Sequence, residues 1–261
     1  MIGIFDSGVG GMTVARAVER LLPEYPQIYF GDLARAPYGP KSRERIIQYS
    51  LDNTRFLLEH GAKLIIIACN SAASVATDIL LQEFSVPFFE VITPAVRQAV
   101  AGSRSGRIGV IGTLATIRSG VYERKIKAAA PESQVISAPC PLLVPLVEEG
   151  WLTGRETKMI VRRYLQPLKL QQVDTLVLGC THYPLLRELI QPRIGRRVKV
   201  IDSSAAVAAE LQAFLTATPA LAAELRQQIP NRYYVSDITD AARETAARIF
   251  GRPIDLVRTD A

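Results

Sequence analysis

Two cysteines in this chain end two similar apolar runs. Leu64-Ile65-Ile66-Ile67-Ala68 leads into Cys69-Asn70-Ser71, and Thr175-Leu176-Val177-Leu178-Gly179 leads into Cys180-Thr181-His182. Each run has the length and apolar content of a buried strand, so each delivers a thiol and small hydrogen-bonding side chains to a strand's C-terminal end. A lone cysteine in that place is ordinarily a small buried hydrophobe. A matched pair, each followed by polar residues, points instead to one acid/base group on each side of a substrate, which suits inversion of a carbon centre. An unperturbed thiol has a pKa of about 8.5 and is only slightly ionised at neutral pH. Such a site therefore needs partners that move protons to and from sulfur, and donors placed where negative charge develops.

Other chemistries compete for the same residues. Zinc could use Cys69, Cys180 and His182, but Cys-x-His is not a usual structural spacing and a fourth ligand is not evident. A thiol phosphatase needs Cys-x5-Arg; the arginine that follows Cys180 is Arg187, one residue too far. A Cys/His/Asn hydrolase could be assembled from Cys180, His182 and Asn70, and it would leave the second thiol unexplained. Cys140, between two prolines, reads as structural, and His60 as a cation favoured near a helix C-terminus.

Two further motifs follow predicted strands. In Asp6-Ser7-Gly8-Val9-Gly10-Gly11 the glycines allow a tight turn with bare N–H groups at a helix start, an anion-binding arrangement or a structural strand–helix turn. Thr13 stands where a dinucleotide fingerprint needs its third glycine, and no Gly-Lys-Ser/Thr follows. Asp6 would repel a phosphate but fits beside a substrate ammonium or a thiol. In Asp32-Leu33-Ala34-Arg35-Ala36-Pro37-Tyr38-Gly39, proline and glycine shape a turn in which Tyr38 offers a rigid hydroxyl and backbone donors.

Short apolar runs alternating with helical stretches position these motifs and predict a parallel α/β fold. Strands are expected at 2–5, 27–30, 64–68, 88–91, 108–111, 134–137, 175–178, 198–201 and 233–236. Helices are expected at 12–22, 42–60 with Gly61 as C-cap, 205–216 and 240–250. An internal repeat runs through this pattern. Ile2-Gly3-Ile4-Phe5-Asp6-Ser7 echoes Ile108-Gly109-Val110-Ile111-Gly112-Thr113, the cysteine strands echo each other, and Glu90-Val91-Ile92-Thr93 echoes Lys199-Val200-Ile201-Asp202, at offsets of about 106, 111 and 109 residues. Two similar α/β domains are predicted, 1–96 plus 205–261 and 97–204, related by a pseudo-two-fold axis with the site in the cleft between them. Ligands of open α/β sheets bind beyond the strand C-termini, so the two thiols converge on that cleft.

With 261 residues the chain can bury a real core. No apolar run reaches the roughly 18 residues of a membrane helix. The start, Met1-Ile2-Gly3, resembles no export signal, and three widely spaced cysteines form no disulfide framework, so a cytoplasmic location is expected. The net charge of +6 is dispersed. Its densest cluster, Arg193, Arg196, Arg197 and Lys199, reads as solvated surface, and nucleic acid is not an expected partner.

Taken together, the motifs Phe5-Asp6-Ser7-Gly8-Val9-Gly10-Gly11, Arg35-Ala36-Pro37-Tyr38-Gly39, Ala68-Cys69-Asn70-Ser71-Ala72 and Gly179-Cys180-Thr181-His182-Tyr183-Pro184 make the chain resemble the glutamate racemases of bacterial cell-wall synthesis, over nearly its whole length and in family order. Ser71 departs from the family's usual threonine but keeps the hydroxyl. The resemblance implies cofactor-independent and metal-independent interconversion of L- and D-glutamate, the D-isomer feeding peptidoglycan. It implies Cys69 and Cys180 as the two bases, with Asp6 supporting the first and His182 the second, and an acid/base role for one of the tandem Glu148-Glu149, with Glu149 favoured. Substrate contacts are implied for Asp6, Ser7, Pro37, Tyr38, Gly39, Asn70, Ser71, Thr181 and His182, with Thr113 added as the repeat-mate of Ser7. A homodimer is implied, and the rival reading within the superfamily is a racemase of another acidic amino acid such as aspartate.

Overall fold

A computed structural model of the protein describes residues 1–259. The first stretch runs β1 (Ile2–Asp6), α1 (Met12–Leu21), β2 (Gln27–Gly31), α2 (Arg43–Glu59), β3 (Leu64–Ile67), α3 (Asn70–Glu83), β4 (Phe88–Glu90) and α4 (Ile92–Gly102). The second runs β5 (Arg107–Gly112), α5 (Leu114–Arg118), α6 (Val121–Ala129), β6 (Gln134–Pro139), α7 (Leu143–Glu148), α8 (Arg155–Leu170), β7 (Thr175–Gly179), α9 (Arg187–Ile194) and β8 (Lys199–Asp202). The chain ends with α10 (Ser203–Ala217), α11 (Pro219–Leu225), β9 (Arg232–Val235), α12 (Asp240–Phe250) and β10 (Leu256–Arg258).

Two parallel sheets result, one in the order β10-β9-β2-β1-β3-β4 and one in the order β6-β5-β7-β8. The second repeats the β2-β1-β3-β4 order of the first, so the repeat read from Ile2, Cys69 and their echoes is a repeat of topology. Parallel strands buried on both faces need near-continuous apolar runs, and β1, β3 and β7 supply them: every residue of each is buried. The expected strands lie within two residues of the observed ones. Leu256–Arg258 was not among them; three residues, two of them exposed, carry too little pattern to announce a strand.

The helix boundaries follow from capping. Ser42 accepts the Arg45 N–H at the start of α2, and Thr239 accepts the Ala242 N–H at the start of α12. Gly251, at φ +70, closes α12 in the left-handed conformation that favours glycine. Helix α10 packs against α1 and α4, and its inner face is buried along Ala206, Val207, Leu211 and Leu215. The main apolar core includes residues of both sheets, among them Ile4, Ile66, Val110, Val177 and Ile201. Among the described residues no single helix is long and apolar enough to cross a membrane.

Candidate active site

The loops that follow β1, β2, β3, β5 and β7 gather at one place, beyond the strand C-termini, as parallel α/β architecture requires. The cleft they form is walled by Ser7, Gly8, Pro37, Tyr38, Gly39, Cys69, Asn70, Ser71, Thr113, Cys180, Thr181 and His182, with Ala36, Val144 and Glu148 completing it. Both thiols therefore reach one cleft, one from each sheet. Among the described residues no lysine or arginine lines it; Ser7, Ser71, Thr113 and Thr181 offer hydroxyls and Asn70 an amide.

Cys69 is the N-cap of α3 and is buried. Its Sγ donates to Ser7 Oγ at 3.6 Å. Burial, and then the negative charge of Asp6, pushes its pKa up to about 12, so at neutral pH this sulfur carries its proton. Cys180 Sγ lies 3.9 Å from His182 Nδ1. Burial disfavours the imidazolium, but Cys180 and Glu148 outweigh it and the His182 pKa is pushed up to about 10. The other ring nitrogen, Nε2, lies 3.2 Å from Glu148 Oε1. That is ion-pair range, although the contact is off the hydrogen-bond axis and Nε2 makes no hydrogen bond. A Cys180–His182–Glu148 line thus runs along one side of the cleft.

Asp6 ends β1 and is fully buried. Its Oδ2 accepts the Gly8 N–H at 2.9 Å and its Oδ1 accepts the Thr181 hydroxyl at 3.3 Å. The carboxylate thereby ties the glycine loop of one sheet to the Cys180 loop of the other. Burial raises its pKa above the ordinary carboxylate value, against the opposing effects of His182 and these hydrogen bonds. Asp6 is bonded to two residues that wall the cleft, Gly8 and Thr181.

The glycines of this loop are needed for close approach. A Cβ on Gly11 would meet Asp6 Cβ at 2.3 Å, and a Cβ on Gly10 would meet His182 Cε1 and Nδ1 at 2.4 Å each. Thr13 fastens the same junction, its hydroxyl 2.9 Å from Gly10 O, 3.2 Å from Thr181 O and 2.9 Å from Ser204 Oγ. Where a dinucleotide site keeps a third glycine, this chain uses a hydroxyl to join its two halves.

Hydroxyls continue the seam on the other side. Ser71 Oγ and Thr113 Oγ1 are 2.8 Å apart, and the Ala115 N–H donates to Gly39 O at 3.0 Å. Thr113 also caps α5 by accepting the Thr116 N–H. Asn70 is buried, with Oδ1 accepting the Tyr122 hydroxyl at 2.7 Å and Nδ2 without a partner.

Two expectations are corrected. Glu148, not Glu149, meets His182: α7 ends at Glu148, whose side chain faces the cleft, while Glu149 is the capping residue beyond it and lies outside the wall. Tyr38 does not offer its hydroxyl to a ligand. That group donates to the buried Asp32 carboxylate and accepts from Asn53 Nδ2 at 3.1 Å, so it is committed within the protein. The motif reading missed Val144 and Tyr122, which belong to no motif; they read as core positions.

Cys140 is buried, its Sγ directed to Ala138 O at 3.6 Å. His60 Nδ1 lies 2.8 Å from Phe56 O and its ring stacks on Phe56. Arg193 bonds the carbonyls of Lys158 and Leu189. Among the described residues no three His, Cys, Asp or Glu side chains converge as metal ligands.

Comparison with known proteins gives the chain its relatives. The family model described as Asp/Glu/Hydantoin racemase matches residues 12–211. A glutamate racemase of Geobacter metallireducens is 46% identical over 250 residues, covering 96% of this chain and 92% of that protein. The crystal structure of glutamate racemase isoform RacE1 from Bacillus anthracis superposes with a TM-score of 0.92 at 34% identity, covering 100% of this chain and 97% of the other. That of the Francisella tularensis glutamate racemase in complex with D-glutamate gives 0.90 at 34% identity, covering 99% and 97%. With a matched family model, relatives alike over nearly their full length and a shared two-sheet fold, this chain belongs to the Asp/Glu/Hydantoin racemase family and is an isomerase, an amino-acid racemase that groups with the glutamate racemases.

Proposed function

We propose that the protein interconverts L- and D-glutamate by two-base proton transfer between Cys69 and Cys180, without a cofactor, supplying D-glutamate for peptidoglycan. The observation that carries this reading is the meeting of the two thiols in one cleft, each delivered by the equivalent strand of a different sheet. In this reading residues 1–96 with 205–261 form one lobe and 97–204 the other, and the enzyme works in the cytoplasm as a homodimer.

The substrate α-carbon sits between the sulfurs. One sulfur removes the α-hydrogen as a proton and the other delivers its own proton to the opposite face, which inverts the centre; the reverse reaction exchanges the roles. The two sides differ in how they handle protons. Cys69, held protonated by burial, is ready to donate, with Ser7 and Asp6 beside it. Cys180 exchanges protons with His182, whose charge is supported by Glu148. The α-carboxylate and side-chain carboxylate are received by Ser7, Asn70, Ser71, Thr113 and Thr181 and the backbone of Pro37–Gly39. Glu148 and the buried Asp6 favour the ammonium. Donors fixed where enolate charge develops lower the barrier without reorganising during the reaction.

L-Glutamate incubated in D2O with no added cofactor under reducing conditions tests the reading. Optical rotation should decay while deuterium enters the α-position. Persistent rotation would refute it, and faster turnover of L-aspartate than of L-glutamate would move the assignment to an aspartate racemase.

A further inference from the structure

Asn70 belongs to the first sheet's half, at the start of α3, but its orientation is set from the other half. Tyr122 lies on α6 between β5 and β6, and its hydroxyl donates to Asn70 Oδ1 at 2.7 Å. Both residues are 2% exposed. The ring is held against the end of β7: a Cβ on Gly179, the residue before Cys180, would meet Tyr122 Cε2 at 3.2 Å. Burial, together with Glu90 and Cys180, raises the phenol's pKa, so the hydroxyl stays protonated and acts as a donor. Here it donates to Asn70 Oδ1, an oxygen that can only accept, and the ring's packing at Gly179 holds the phenol in that place. The amide plane is thereby fixed, and Nδ2 turns to the other side, where no protein atom accepts its hydrogens.

A buried amide hydrogen without an acceptor is unfavourable unless a ligand supplies one. Asn70 lines the cleft, so the missing acceptor is a carboxylate oxygen of the amino acid. We propose that Tyr122 is a positioning residue for racemisation: across the junction between the two halves it sets the Asn70 amide so that Nδ2, and not Oδ1, faces the substrate carboxylate. This rests on the racemase reading above. Without the phenol hydroxyl the amide is free to turn over and present its oxygen to the carboxylate, replacing an attraction with a repulsion. Because donor and acceptor sit on different halves, the substrate-ready amide also exists only when the halves are in register.

The test is a double-mutant cycle with Tyr122→Phe and Asn70→Ala on glutamate racemisation, with melting temperature as a check on folding. Tyr122→Phe alone should lower kcat/KM about tenfold, mainly through KM. In the Asn70→Ala background the same change should cost less than about twofold, because its target is gone. Wild-type kinetics for Tyr122→Phe, or an equal loss in both backgrounds, would overturn the proposal. A second measurement needs no variant of Tyr122: the Asn70 side-chain amide signal of the wild type, assigned by its loss in Asn70→Ala, should move when D-glutamate is added. An unmoved signal would overturn the proposal. An inactive wild type would instead sink the racemase reading, so the two failures are distinguishable.

Discussion

Gly10→Ala places a methyl group where the structure has a histidine. The added Cβ would lie 2.4 Å from both Cε1 and Nδ1 of His182 and 2.7 Å from Thr181 Oγ1, against an ordinary contact of 3.4 Å or more. The backbone at Gly10 needs no left-handed conformation, so the substitution acts through space alone. To restore contact the ring must retreat by about 1 Å, and His182 is buried, with Glu148 on one side and Cys180 Sγ at 3.9 Å on the other. Overfilling a packed site costs about 1–3 kcal/mol, and a displacement of ~1 Å in a catalytic group costs about 100-fold in rate. We therefore expect kcat to fall about 100-fold in both directions, with a folded protein and a modestly lower melting temperature. The assay follows optical rotation from each enantiomer, with KM and kcat separated. A Gly10→Ala enzyme with kcat within twofold of wild type would refute the reasoning, because it would show that the ring position does not depend on this contact.

Other consequences are as direct. Glu148→Gln should lower kcat by about 10- to 100-fold by removing the charge that supports the His182 imidazolium, whereas Glu149→Gln should stay near wild type; the opposite ranking in steady-state kinetics would restore Glu149 to the site. A Cβ on Gly8 meets no protein atom within 4 Å, and Gly8 itself lines the cleft. Gly8→Ala should spare the melting temperature and raise KM, and a melting temperature that drops with KM unchanged would contradict that. The His182 pKa is pushed from 6.5 to about 10 in the fold. The folded state then holds one proton more than the unfolded chain between those values. The stability this contributes is complete below pH 6.5 and declines by up to about 1.4 kcal/mol per pH unit as pH rises towards 10. Chemical denaturation across that range should show the decline, and His182→Asn should flatten it; an equal slope in the variant would assign the effect elsewhere.

How much of this was legible depended on how local each signal is. β1, β3 and β7 are continuous apolar runs, and the polar residues behind Cys69 and Cys180 follow them directly, so the motifs could be placed at strand ends. The repeat could be read because Ile2, Ile108 and the two cysteines keep their order. Roles decided by packing could not be read. Whether Glu148 or Glu149 faces the cleft depends on the phase at which the short helix α7 ends, and two adjacent glutamates carry no sign of it. The Tyr38 hydroxyl is committed to Asp32 and Asn53, whose placement beside it depends on how α2 packs on the sheet. Tyr122 looks like any aromatic on a helix face; its meaning lies in Asn70, 52 positions away. Asp6 was singled out for its place after β1; its full burial and its bonds to the Gly8 N–H and the Thr181 hydroxyl depend on how the loop folds back over it.

The central claim is that Cys69 and Cys180 each serve one face of the α-carbon. It is tested most directly by α-hydrogen exchange in D2O with Cys69→Ala and Cys180→Ala, each given pure L- and pure D-glutamate. The account predicts that both variants lose racemisation and that each retains exchange, without inversion, on one enantiomer only, the two variants choosing opposite enantiomers. Racemisation by either variant at more than a few per cent of the wild-type rate, or exchange of the same enantiomer by both, would contradict it.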